Sequence, residues 1–99
     1  MLTLKQLQDI CNDILNELVS ADTDDFEYRM GSYELKFEEA RISVILQKHQ
    51  VSWEQLTEDE AVLVYKPVKL FYNLAKYFGL STVQEMLKDK QLDLPMYYA

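Results

Sequence analysis

The sequence predicts an α+β domain: an N-terminal helix, a small antiparallel sheet (a hairpin or three-stranded meander), then three C-terminal helical segments. Three observations carry this. Apolar residues recur at helical spacing at both ends of the chain, the period shifts from 3.6 to 2 across residues 26–37, and two glycines and two prolines leave room only for short connections. The 99 residues suit one core, so residues 1–99 are read as a single domain with a short apolar C-terminal tail at about 92–99.

The first helix opens with Thr3 as cap, Gln6 as its reciprocal partner three residues on, and Leu2 and Leu7 as a hydrophobic staple. Leu4, Leu7, Cys11, Ile14 and Leu18 then share one face, joined by Ile10, Leu15 and Val19, and the helix should run to about Ser20. Past the polar "ADTDD", Phe26, Tyr28 and Met30 alternate with Glu27 and Arg29; after Gly31-Ser32, Tyr33, Leu35 and Phe37 alternate with Glu34 and Lys36. A glycine-first two-residue turn suits a hairpin. One register pairs Met30 with Tyr33, Tyr28 with Leu35 and Phe26 with Phe37 inside, and Arg29 with Glu34 and Glu27 with Lys36 outside. Ala40–Gln47 reads as a third strand through the alternation of Ala40, Ile42, Val44 and Leu46, although the acidic residues before it and Lys48-His49 after it would also suit a helix dipole. Helix returns with two successive capping patterns, Ser52 with Gln55 and Thr57 with Glu60, and Pro67 is expected to kink or restart it. Val68, Phe71, Leu74, Ala75 and Phe78 form its apolar stripe, Gly79 ends it, and Ser81 and Gln84 cap a last helix that should end near Lys90.

A net charge of −7 argues against general affinity for nucleic acid or anionic membranes, because both need a positive field. Charge is also segregated: residues 1–65 hold five basic and fourteen acidic side chains, residues 66–99 five and three. Cys11, on the apolar face of the first helix, has no partner for a disulfide and reads as a buried thiol. The opening "MLTLKQLQDI" lacks a secretory pattern, no run of 18 apolar residues occurs, and a cytoplasmic location is expected. "DTDDFEYRMGSYE" lacks the sixth-position glycine of a calcium loop and places Phe26 where a ligand should sit. No nucleophile, metal-ligand cluster or cofactor motif is evident, so neither an enzyme nor a cofactor or metal is expected.

The segment "LAKYFGLS" resembles a passage in Cro- and lambda-repressor-like DNA-binding domains, with Leu74, Ala75, Phe78, Gly79 and Ser81 carrying the similarity. The passage that holds it, Leu70–Leu87, covers about a fifth of the chain, and the resemblance implies a helix-turn-helix whose second helix reads DNA. A reading helix needs polar and basic side chains near its start. This one offers Thr82, Gln84 and Glu85, and a helix pair that closes a core explains the passage better.

The function expected is that of a small acidic, non-catalytic protein-binding module, an inhibitor or mobile-element accessory protein acting on a basic or nucleic-acid-binding protein. Its partner-binding acidic surface is assigned to Asp22, Asp24, Asp25, Glu27, Glu58, Asp59 and Glu60. A second surface comprises Lys66, Lys69, Asn73 and Lys76, one stripe at spacings of three and four, with Tyr97 and Tyr98 of the tail. A DNA-binding regulator working through the segment around Gly79, or a structural subunit that self-associates through its acidic and basic ends into a homo-oligomer, are the alternatives.

Overall fold

A seventeen-residue helix with one apolar face draws most of its stability from packing, and the arrangement of the chain follows from how that face is covered. A computed structural model describes residues 2–21 and 35–88, which form α1 (Leu4–Ser20), α2 (Leu35–Lys48), a 3-10 turn (Trp53–Gln55), α3 (Glu58–Phe78) and α4 (Leu80–Leu87). α1 packs against α2, α3 and α4. Its start is as the sequence predicts: the Gln6 amide donates to Thr3 Oγ1 at 3.1 Å and the Thr3 amide to Gln6 Oε1 at 2.8 Å. Leu7, Ile10, Cys11, Ile14, Leu15 and Leu18 are buried. Each such apolar side chain contributes roughly 1.5–3 kcal/mol, against about 1 kcal/mol for the cap. The cap therefore decides where α1 begins, and the buried face decides that it persists.

The antiparallel sheet is not supported, and the fold is all-helical among the described residues rather than α+β. Leu35, Lys36 and Phe37, expected in the second hairpin strand, belong to the first turn of α2. This removes the pairings of Tyr28 with Leu35, Phe26 with Phe37 and Glu27 with Lys36; residues 22–34 lie outside the described residues. Ala40–Gln47 is helix as well. Leucine, lysine, glutamate, alanine and arginine between 35 and 41 favour helix, and Lys48 in the last turn suits the dipole. The apolar set that matters is Ile42, Ile45 and Leu46, at spacings of three and one, and all three are buried. Val44, an inward residue of the expected strand, is 51% exposed.

α2 ends in a double hydrogen-bonded turn. The Val51 amide donates to the Leu46 carbonyl at 2.9 Å and the Gln50 amide to the Gln47 carbonyl at 3.0 Å, with Gln50 in the left-handed region at φ 60°. Ser52 and Gln55 form a single 3-10 turn rather than a helix start, because Leu56 is extended at ψ 136°. The second pattern, at Thr57 and Glu60, opens α3.

Pro67 does not interrupt α3, which continues as one helix to Phe78. A proline inside a helix leaves the carbonyl four residues back without its N–H donor. Here that carbonyl is Leu63, and the thiol of Cys11 on α1 donates to it at 3.5 Å. Burial pushes the Cys11 pKa up to about 12, so the thiol keeps its proton and remains a donor. Further along α3, Phe71 and Tyr72 are buried in edge-to-face contact, centroids 6.0 Å apart. Phe78, expected in the core, is 54% exposed, because the chain turns directly after it and Leu80 enters the core instead.

Gly79 alone joins α3 to α4. Its amide donates to the Ala75 carbonyl at 2.9 Å, and its carbonyl accepts from Val83 at 3.1 Å. With φ 85° and ψ 154° it occupies a region that is essentially glycine's alone, while a Cβ placed there would meet nothing within 4 Å. Gly79→Ala should therefore cost about 1–3 kcal/mol through the backbone alone. Urea unfolding should show a lower midpoint with an unchanged slope. An unchanged midpoint would mean that the turn relaxes freely.

Candidate functional site

α3 begins with three acidic residues in a row, and the helix start sorts them. Glu60 stands third in the helix, where a side chain turns back onto the cap. Its Oε1 accepts the Thr57 amide at 2.9 Å, and the Glu60 amide donates to Thr57 Oγ1 at 3.2 Å. Its other oxygen, Oε2, accepts the Leu2 amide at 2.8 Å, just ahead of α1. Glu60 is only 3% exposed and does not belong to a surface that a partner could touch. Glu58 and Asp59 beside it are exposed, as is Glu54 in the preceding 3-10 turn. The bond between Glu60 and Leu2 places this acidic group beside the start of α1.

The sequence reading left out the outer side of α1. Asp9, Asp13 and Glu17 are exposed at spacings of four, opposite the buried face. Asp13 Oδ2 lies 2.7 Å from His49 Nε2, which ties α1 to the residue following α2. The polar face of α1 was the available signal, since its acids fall in register once the apolar face is fixed. Asp22, Asp24, Asp25 and Glu27 lie outside the described residues, as do Tyr97 and Tyr98.

Lys69, Asn73 and Lys76 are exposed along one side of α3, with Lys66 half-buried in the same stripe. Exposed apolar residues flank it, Val62 toward the start and Tyr77, 87% exposed, at the end. The lysines thus sit toward the end of α3 remote from Glu58 and Asp59. Charge that is segregated along the sequence is segregated along this helix too.

α4 holds Leu80 and Val83 in the core and turns Gln84 onto α1. The Gln84 amide nitrogen donates to the carbonyls of Leu18 at 3.3 Å and Ala21 at 2.9 Å, meeting the Ala21 carbonyl just past α1 and adding a second donor at the Leu18 carbonyl, which the Ala21 amide reaches at 3.5 Å. Thr82 and Glu85 remain exposed. The side chain best suited to read a base edge is spent on the protein's own backbone.

A hollow of about 220 Å³ lies between the end of α2 and the 3-10 turn, bordered by Ser43, Leu46, Gln47, Val51, Trp53 and Glu54. Trp53 donates its indole N–H to Ser43 Oγ at 2.6 Å and stacks on Tyr65, centroids 5.8 Å apart. Among the described residues, no group of three or more His, Cys, Asp or Glu side chains could hold a metal ion, and no helix is long and apolar enough to cross a membrane. Comparison with known proteins returned no matching family model, no matching curated protein and no matching solved structure.

The Thr57 amide is the largest influence on Glu60 and lowers its pKa; burial opposes this, and the Leu2 amide reinforces it. A carboxyl group whose pKa falls on folding contributes its full stabilisation above its unfolded pKa, and loses it as the pH drops through the folded value. Glu60→Gln should cost about 1.5–3 kcal/mol at pH 7, the usual worth of hydrogen bonds to a charged group. Its deficit against the parent protein should shrink as acid protonates Glu60. A deficit that stays constant from pH 7 to pH 3 would show that the charge contributes nothing.

Proposed function

We propose that the chain is a non-catalytic protein-binding module whose exposed acidic surface docks on a basic partner. The observation that carries the reading is the sorting at the start of α3. One carboxylate is consumed by the fold, while Glu54, Glu58 and Asp59 stand in solvent, where their field is available to another molecule. Asp9 and Glu17 extend negative charge along the outer side of α1. Such a surface suits an inhibitor or accessory protein that occupies the basic groove of a nucleic-acid-binding protein. A single buried cysteine suits a reducing compartment, and the cytoplasm is the location proposed. A DNA-binding regulator is less well supported, because Gln84 caps α1 and the net charge of −7 repels a polyanion.

Attraction between exposed charges acts over a Debye length, about 10 Å at 0.1 M salt and about 3 Å at 1 M. Affinity capture from native lysate supplies the partner, and stopped-flow association then measures the effect. Glu58→Gln with Asp59→Asn should slow association several-fold at 0.1 M salt, change dissociation less, and have little effect at 1 M. Lys69→Gln with Lys76→Gln should leave binding nearly unchanged. Urea unfolding of each variant separates these effects from the few tenths of a kcal/mol that helix-end charges contribute to stability. Silent acidic changes with binding abolished by the lysine changes would reverse the assignment and make the partner acidic.

A further inference from the structure

The hollow beside Trp53 is built rather than incidental. Its floor is the pair of buried side chains Leu46 and Val51, held together by the hydrogen bond from the Val51 amide to the Leu46 carbonyl. Keeping that turn costs a left-handed Gln50, a conformation that a non-glycine residue adopts only when its surroundings enforce it. The wall is Trp53, and its ring is fixed twice. Ser43 accepts the indole N–H and donates its own hydroxyl to the Glu39 carbonyl at 2.9 Å, while Tyr65 stacks on the ring. The indole is thus oriented before any ligand arrives, which reduces the ordering cost of binding.

The chemistry around the hollow is one-sided. Glu54 supplies an exposed carboxylate at its edge, Gln47 and Ser52 supply neutral acceptors, and no basic side chain among the described residues lines it. An aromatic wall, an apolar floor and a rim of acceptors fit a cation carried on an aliphatic stem. Arginine suits it better than lysine. The guanidinium is planar, stacks on an indole and is more weakly hydrated than an ammonium group, while its fork of donors can reach a carboxylate and an amide oxygen together. Tryptophan and arginine are also the residues on which protein interfaces most often depend.

We propose that the hollow beside Trp53 is an anchor pocket for an arginine side chain of the basic partner, a proposal that rests on the acidic docking surface described above. Glu54 belongs to both features, so the field that draws the partner in ends at the pocket that holds it.

Trp53 is the only tryptophan, so its fluorescence reports on the pocket directly. The full chain is titrated with N-acetylarginine amide, with its lysine counterpart, and with the citrulline counterpart, which keeps the shape and loses the charge. The expected result is a saturable change in emission with arginine, a several-fold weaker response with lysine, and at least a tenfold weaker one with citrulline. Glu54→Gln, an exposed substitution that leaves the indole in place, should weaken arginine several-fold. Equal responses to arginine and citrulline, or no saturable response, would overturn the pocket. Measurements on the captured complex separate the two proposals. If Glu58→Gln with Asp59→Asn slows association while Trp53→Phe and Glu54→Gln leave dissociation unchanged, the docking surface stands and the pocket falls. If arginine saturates the pocket but association ignores the acidic substitutions, the arginine site stands and the docking surface falls.

Discussion

α1 packs along its apolar face against the other three helices and is fastened to them by polar groups at its start, middle and end. Glu60 of α3 holds the Leu2 amide, Cys11 reaches the Leu63 carbonyl, and Gln84 of α4 closes on the Leu18 and Ala21 carbonyls. Between these points its apolar face is buried against α2, α3 and α4. Apolar burial supplies most of the energy but is non-directional, so it leaves the register of a helix open. The three polar contacts supply direction, because each has a geometry that a slide or rotation of α1 would break.

The same contacts decide which groups remain for function. A buried carboxylate is costly unless its oxygens are occupied, and Glu60 has a backbone amide on each. Its neighbours Glu58 and Asp59 carry no such duty and stay in solvent. At the other end, Gln84 is turned onto α1, and the short helix after Gly79 becomes a clasp. Pro67 follows the same logic: the carbonyl it strands is met by Cys11 on the helix packed alongside. The cost of an interior proline, about 3 kcal/mol, is offset by tertiary packing rather than avoided by a break.

How much was legible in the sequence depended on how local the determinants are. α1 could be read because cap, staple and apolar stripe all lie within a few residues, whereas before α3 two capping patterns stood in succession and only the second, at Thr57 and Glu60, opens the helix. α2 could not. Ile42, Val44 and Leu46 alternate as a strand would, and a short apolar run does not fix its own period. Ile45 was the residue that only a helix accounts for, and the flanking charges agreed with it. Glu60 shows a different failure. Its place three residues after Thr57 was recognised as a cap, yet it was also assigned to the acidic surface, and one carboxylate cannot serve both. The hollow beside Trp53 was out of reach, because Ser43 lies ten residues away and only the turn at Gln50 brings it to the indole.

Native-state hydrogen exchange tests the central place of α1 most directly, since it measures the free energy at which each amide opens. The amides of Ile14, Leu15 and Leu18 should exchange only through global unfolding, at a free energy equal to that from urea denaturation, while amides of α4 open at lower cost. If those α1 amides exchange through a smaller opening that leaves α2 and α3 protected, the fold does not depend on α1.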